Sequence, residues 1–245
     1  MTVTKTTDFE PATHGFHFTN RYSGLDIVKE INDGFGDVAA RVSGSQDFWQ
    51  GWGLCGGMSW HALDRFYARN PIPAATQVPD RESPLFRVLV GRQFDSFHGA
   101  SLLTRCIRWQ SRTDTHTWWD PRPTIRALTM REWAKVKQSV DRGFPVSLTL
   151  IRTTTAPWEN HQVLGVAYKD DPDAGRGEIG LYDPNHPNRE PKIHITTIGD
   201  DAGKASQTTG ENLRGFFVWP YDRTQREIHE GGHDAFSASS DASPD

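Results

Sequence analysis

The hydrophobic period of this chain changes near residue 144, and that change limits what it can fold into. Before it, apolar residues recur at helical spacing. Residues 54–67 carry Leu54, Met58, Ala62, Leu63, Phe66 and Tyr67 at such intervals, and Asn70-Pro71 stops the run. Ser83-Pro84 reads as a cap plus first-turn proline, opening a helix with Leu85, Val88 and Leu89 on one face. Thr129 with Glu132 matches a capping box ahead of Trp133, Val136 and Val140, and Gly143 closes that helix. After it the period becomes two. VSLTLI (146–151), QVLGVAY (162–168), EIGLY (178–182), KIHITTI (192–198) and RGFFVWPY (214–221) all read as strands. Helices first and an antiparallel sheet after predict an α+β fold.

No break inside this pattern stands out, so residues 16–223 are read as one catalytic domain. Residues 1–15 read as an irregular polar segment, and 224–245, ending in AFSASSDASPD, as a disordered tail. With 27 basic and 31 acidic residues the net charge is −4, which gives no general pull toward nucleic acid or anionic membranes. Runs of about 18 apolar residues are absent, and the first fifteen residues lack the apolar core of a signal peptide. The two cysteines, Cys55 and Cys106, form no CxxC pair, so a reduced, cytoplasmic setting is the expectation. Export without a signal peptide would leave the same sequence.

Cys55 lies in GWGLCGGMSWHALDRF, between glycines at the start of an amphipathic helix. Helix N-terminal N–H groups favour an anion there, which helps a thiol become the thiolate that attacks carbonyls. Gly53, Gly56 and Gly57 would let backbone approach a substrate closely. The alternative is a small buried helix residue with glycines that only permit tight packing. A nucleophile needs a base, and His161 is the best placed of ten histidines. It opens the strand QVLGVAY, and the next strand, EIGLY, ends at Asp183-Pro184-Asn185. The midpoint of 161 and 183 is 172, inside the turn-rich DDPDAGRG. An antiparallel hairpin folded there makes His161 and Asp183 neighbours across the ladder, the Asp orienting the imidazole. Asn160 and Asn185 are lesser candidates for the orienting role.

Cysteine at a helix start, a His opening a strand and an Asp closing the next follow the order of papain-like cysteine peptidases. GLCGGM…NHQVLGVAY…LYDPN most resembles the double-glycine leader peptidases and their stand-alone relatives. The resemblance implies a papain-like fold, its nucleophile helix packed on a C-terminal antiparallel sheet. It also implies Cys55 as nucleophile, His161 as base and Asp183 as acid, acting on a peptide or protein substrate. The family's oxyanion donor is a Gln upstream of the Cys. Gln50 stands five positions before Cys55, one nearer than usual, and the Cys55 N–H would be the second donor. Trp49, Trp52, Trp60 and Trp158 flank the two halves of this set and line either a groove or the core; Asn160 adjoins them.

No cofactor or metal is expected. His229-Glu230-Gly231-Gly232-His233 matches HExxH, but two glycines in its middle and a polar setting argue against a metal-binding helix. Asp170, Asp171 and Asp173 read as a solvated turn. The expected activity is a cysteine peptidase or amide hydrolase passing through an acyl-enzyme. An acyltransferase, a transglutaminase or a peptidoglycan amidase would use the same triad, and an inactive papain-like binding module is the reading from another class.

Overall fold

A computed structural model describes residues 1–22, 53–152 and 157–223. The helical half contains α1 (Pro11–His14), α2 (Cys55–Ala68), α3 (Pro84–Phe97), α4 (Ser101–Gln110) and α5 (Ile125–Asp141). α2 ends where Arg69 enters the left-handed region at φ 56°, its N–H turned back to the Arg65 and Phe66 carbonyls. At the start of α3 the Ser83 hydroxyl accepts the Phe86 N–H, and Pro84 fills the first turn, where a missing N–H costs nothing.

Two expectations fail in this half. α5 begins at Ile125 with Thr124 as its cap, accepting the Ala127 N–H, so Thr129-Glu132 is no helix start. The helix extends upstream because Ile125 is fully buried there. Thr129 instead donates to the Ile125 carbonyl inside the helix. Glu132 pairs with Arg105 and Lys135 and accepts the Val218 N–H. Residues 1–15 are also not irregular, since they form a strand, β1 (Val3–Thr6), and α1. All four β1 side chains are exposed, so backbone pairing with its neighbour holds it rather than burial.

The second half supplies β2 (Val146–Ile151), β3 (His161–Asp171), β4 (Arg176–Tyr182), β5 (Lys192–Thr196), β6 (Ala205–Gln207) and β7 (Gly215–Val218). They form one antiparallel sheet in the order β6-β5-β4-β3-β2-β7. β1 pairs with the C-terminal part of β3, and β2 with its N-terminal part, so the two share one edge of that long strand. The architecture is therefore mixed helix and strand, with an antiparallel sheet following a helical N-terminal half. Among the described residues no helix is long and apolar enough to cross a membrane.

Every residue of β2 is buried, because both faces of the sheet are covered. Leu164 and Phe217 join the core under α2, α3 and α4. Val163 and Phe216 face the other way, into a core closed by Trp133, Val136 and Val140 of α5. Consecutive strand residues thus enter opposite cores, as a period of two requires.

α2 packs closely against α3, and this explains Gly57, while Gly56 meets Ser96 of α3 and Gln162 of β3. A Cβ on Gly57 would lie 2.0 Å from the Leu89 carbonyl oxygen. One on Gly56 would lie 2.4 Å from Ser96 Oγ and 2.7 Å from Gln162 Oε1. Both glycines are required by the packing of the helix, Gly57 against α3 and Gly56 against Ser96 and Gln162. Trp60 is likewise core: it is fully buried and its indole N–H donates to Ser147 Oγ at 3.1 Å.

Candidate active site

Three chain segments meet around Cys55. The first residue of α2 is Cys55 itself, where the helix dipole favours a negative charge. The first residue of β3 is His161, and Asp183 follows the last residue of β4. Gln162 N–H, next to His161, donates to Cys55 Sγ at 3.4 Å. His161 Nε2 lies 2.6 Å from Asp183 Oδ1, which leaves Nδ1 as the ring nitrogen for the thiol. The same Asp183 oxygen accepts the Asn185 N–H at 2.9 Å, and Oδ2 accepts from Gln207 Nε2 at 3.3 Å. Asp183 is thereby held by three donors, and neither Asn160 nor Asn185 takes its place beside the ring.

The hairpin reaches this geometry with a different register from the one its midpoint suggests. Asp171 pairs with Arg176, Ala167 with Gly180 and Gly165 with Leu181, so an irregularity between Gly165 and Ala167 shifts the ladder by one. Beyond it Leu164 faces Tyr182, and His161 and Asp183 meet diagonally rather than as directly opposed residues.

Charge in this group follows from its burial. Cys55, His161 and Asp183 are 6%, 3% and 1% exposed, so each loses solvation and must find its partner in the others. Burial pushes the Cys55 thiol up, but the His161 imidazolium and the N–H groups of Gln162 and Gly56 outweigh it. The net result lies below the ordinary thiol value. Burial pushes His161 down, yet the Asp183 carboxylate and the Cys55 thiolate raise it to about 9. Asp183 falls below the usual carboxylate value, burial being overcome by His161 and its hydrogen bonds. These directions favour the thiolate–imidazolium pair over the neutral thiol and imidazole, with Asp183 as the carboxylate beside the ring. Cys106, in contrast, is raised by burial to about 12 and stays a neutral thiol despite its contact with Asn160.

Cys55 and His161 line a cavity of about 480 Å³, together with Gly53, Asn20, Asn160 and Asn185 among others. Asn160 Oδ1 accepts the Arg152 N–H at 3.2 Å, fixing the end of β2 beside the site. The Trp158 backbone lies in a 3-10 turn (Pro157–Glu159) just before Asn160. Gln50, Trp49 and Trp52 lie outside the described residues, as do the side chain of Trp158 and the HExxH match at His229–His233. Asp170 pairs with Lys137, and Asp171 accepts the Ala174 N–H in the turn. Among the described residues no group of three or more His, Cys, Asp or Glu is arranged to hold a metal ion.

Asn20 is the residue that sequence reasoning missed. Its Oδ1 accepts the Leu54 N–H at 2.9 Å, and its Nδ2 donates to Asn185 Oδ1 at 3.0 Å. Its own N–H donates to the Pro184 carbonyl. One side chain thus ties the entry to α2 to the loop carrying Asp183, across the halves of the site. Nothing in RYSG or TNR marks such a residue, since a loop asparagine has no periodic signal. Asn20→Ala is expected to slow alkylation of Cys55 by about tenfold, with Asn20→Asp recovering part of the loss through the Leu54 bond. The loss corresponds to about 1.4 kcal/mol, the scale of one or two buried hydrogen bonds. Unchanged alkylation kinetics in Asn20→Ala would show that the site holds without this clamp.

Comparison of the chain with protein-family models, with curated proteins and with solved structures finds no match, so what the site can do is read from its own geometry.

Proposed function

We propose that this chain is a papain-like cysteine hydrolase that cleaves amide or thioester bonds through an acyl-enzyme on Cys55. The observation that carries the reading is the buried chain of contacts from Cys55 through His161 to Asp183, opening onto a cavity. A structural cysteine has no need of a charged imidazole beside it, and Cys106, also buried, is pushed up by burial with no such partner among its causes. The order of elements supports the papain-like reading too: nucleophile at a helix start, base opening a strand, acid after the next.

In this reading the Cys55 thiolate attacks the substrate carbonyl carbon and the electron pair moves to oxygen. As the tetrahedral species collapses, the bond to the leaving group breaks and the His161 imidazolium supplies its proton. His161, now neutral, takes a proton from water, which attacks the thioester, releases the acid and restores the thiolate. Asp183 keeps the ring oriented throughout and stabilises the cation. An amine acceptor in place of water would give acyl transfer with the same groups, so acceptor access decides between hydrolase and transferase.

The test is covalent capture. A peptide vinyl sulfone, to which a thiolate adds at the alkene carbon, is expected to give one adduct, on Cys55, by mass spectrometry of the digested protein. Cys106 is expected to remain free. Equal and slow modification of both cysteines would sink the proposal.

A further inference from the structure

Most of the charge around the cavity is answered within the protein. Arg152 lines the cavity, but its Nη2 lies 3.7 Å from Glu211 Oε1, and the same oxygen sits 2.8 Å from His186 Nε2. Cys55 and His161 together carry no net charge, whether the proton between them sits on sulfur or on the ring. Asp183 behind them adds a negative charge. Asn20, Asn160, Asn185 and Asn212 make much of the remaining wall polar and uncharged. Glu159 is the exception. It lines the cavity two residues before His161, is exposed to solvent, and makes no hydrogen bond or ion pair among the described residues. Its backbone is held firmly, because the Pro157 carbonyl accepts the Asn160 N–H at 3.3 Å and the chain then enters β3 at His161. An accessible carboxylate thus stands beside the reacting pair with no cation to answer it. Even with His186 counted as positive, the charged groups around the cavity remain net negative.

We infer that Glu159 receives a basic side chain of the substrate, so that the site selects peptides carrying Lys or Arg beside the bond attacked. The inference rests on the acyl-transfer reading of Cys55 and adds to it the chemistry of the substrate. In the free protein water screens the Glu159 carboxylate. A peptide filling the cavity displaces part of that water, and the attraction to a cation grows as the local dielectric falls. Lys and Arg bring their charge on long apolar stems, so the cation reaches the exposed carboxylate while the peptide backbone stays at Cys55. The asparagine amides bond to peptide groups of any sequence and do not discriminate charge. An acidic side chain gains no matching partner, since Arg152 would have to leave Glu211 to meet it.

The test is a panel of peptide vinyl sulfones in which each position flanking the electrophile carries in turn Arg or citrulline, its uncharged near-isostere. In the unaltered protein at low salt, one position is expected to favour Arg by about fivefold in the rate of Cys55 modification, the scale of a partly exposed ion pair. Added salt should shrink that ratio, as screening of an exposed charge requires. Glu159→Gln is expected to bring it to within about twofold of unity, and Glu159→Asp to retain part of it. Glu159→Lys should reverse the choice, so that Glu at that position reacts faster than Gln. Because each readout is a ratio within one protein, a general loss of reactivity does not mimic it. Cys55 modification without preference for Arg at any position, or a preference that persists in Glu159→Gln, overturns the inference and leaves the acyl-transfer reading standing. Failure of the whole panel to modify Cys55 selectively would remove both.

Discussion

Replacing His161 with alanine is expected to slow alkylation of Cys55 by iodoacetamide about 100-fold near pH 6.5. An ordinary thiol, with a value near 8.5, is only about 1% thiolate at that pH. Cys55 lies below the ordinary value because the neighbouring imidazolium outweighs burial. Take away the ring and burial remains, so the thiol rises to the ordinary value or beyond it. The pH profiles should then separate. In the unaltered protein alkylation requires only the thiolate, so it rises below the ordinary thiol range and stays high. Turnover also requires protonated His161, so it falls as pH rises through about 9. Stability follows the same sign for this group. A His whose folded value is raised stabilises fully below its unfolded value of about 6.5 and loses that contribution as pH climbs through its folded value. Stopped alkylation time courses across pH would measure the effect. A change below threefold in His161→Ala would mean that the thiolate owes nothing to the imidazole.

The second large effect lies behind the nucleophile helix. Arg92→Leu is expected to destabilise the protein by about 3–5 kcal/mol, the cost of leaving one member of a buried ion pair without its partner. Asp64, on α2, is nearly inaccessible and lies 2.8 Å from Arg92 Nε on α3. It also accepts from Arg92 Nη2 at 3.0 Å and from the Tyr221 hydroxyl at 2.6 Å. Arg92 in turn reaches Asp95 and the Asp222 carbonyl, and its guanidinium lies over the Trp60 ring 5.0 Å from the centroid. One guanidinium therefore fastens α2, α3 and the segment after β7. Urea unfolding followed by tryptophan fluorescence checks the size. In the double variant with Asp64→Leu, part of the loss should return, because neither charge is then buried alone. A loss below about 1 kcal/mol in Arg92→Leu would place the pair among the weak surface kind.

The candidate site was largely legible because its three central residues sit at element boundaries. Cys55 begins a helix, His161 begins a strand and Asp183 follows one, and boundaries are where glycines, prolines and changes of period mark the sequence. The hairpin arithmetic found the right partners with the wrong register, since no periodic signal announces the irregularity at Gly165 and Ala167. Thr129-Glu132 matched a cap by type, while the true cap, Thr124, has Ala127 where a box would need an acid. α4 left a signal that was passed over: Leu102, Cys106 and Trp109 share its buried side at helical spacing. β1 left none, because VTKT buries nothing. Asn20 acts through polar contacts from an irregular segment, and such contacts have no period to read.

The distance along the chain between the parts of the site has a consequence for synthesis. Asn20, Cys55, His161 and Asp183 come together only when the hairpin of β3 and β4 has folded against α2. Contacts so far apart in sequence form late, after loop closures that cost entropy. Before Asp183 is made and folded into place, Cys55 lacks the oriented imidazole that lowers its thiol, and an ordinary thiol is the expected state of the nascent chain. On the proposed reading the activation of Cys55 waits for completion of the sheet, which would spare the unfinished chain, and its neighbours, from an active nucleophile.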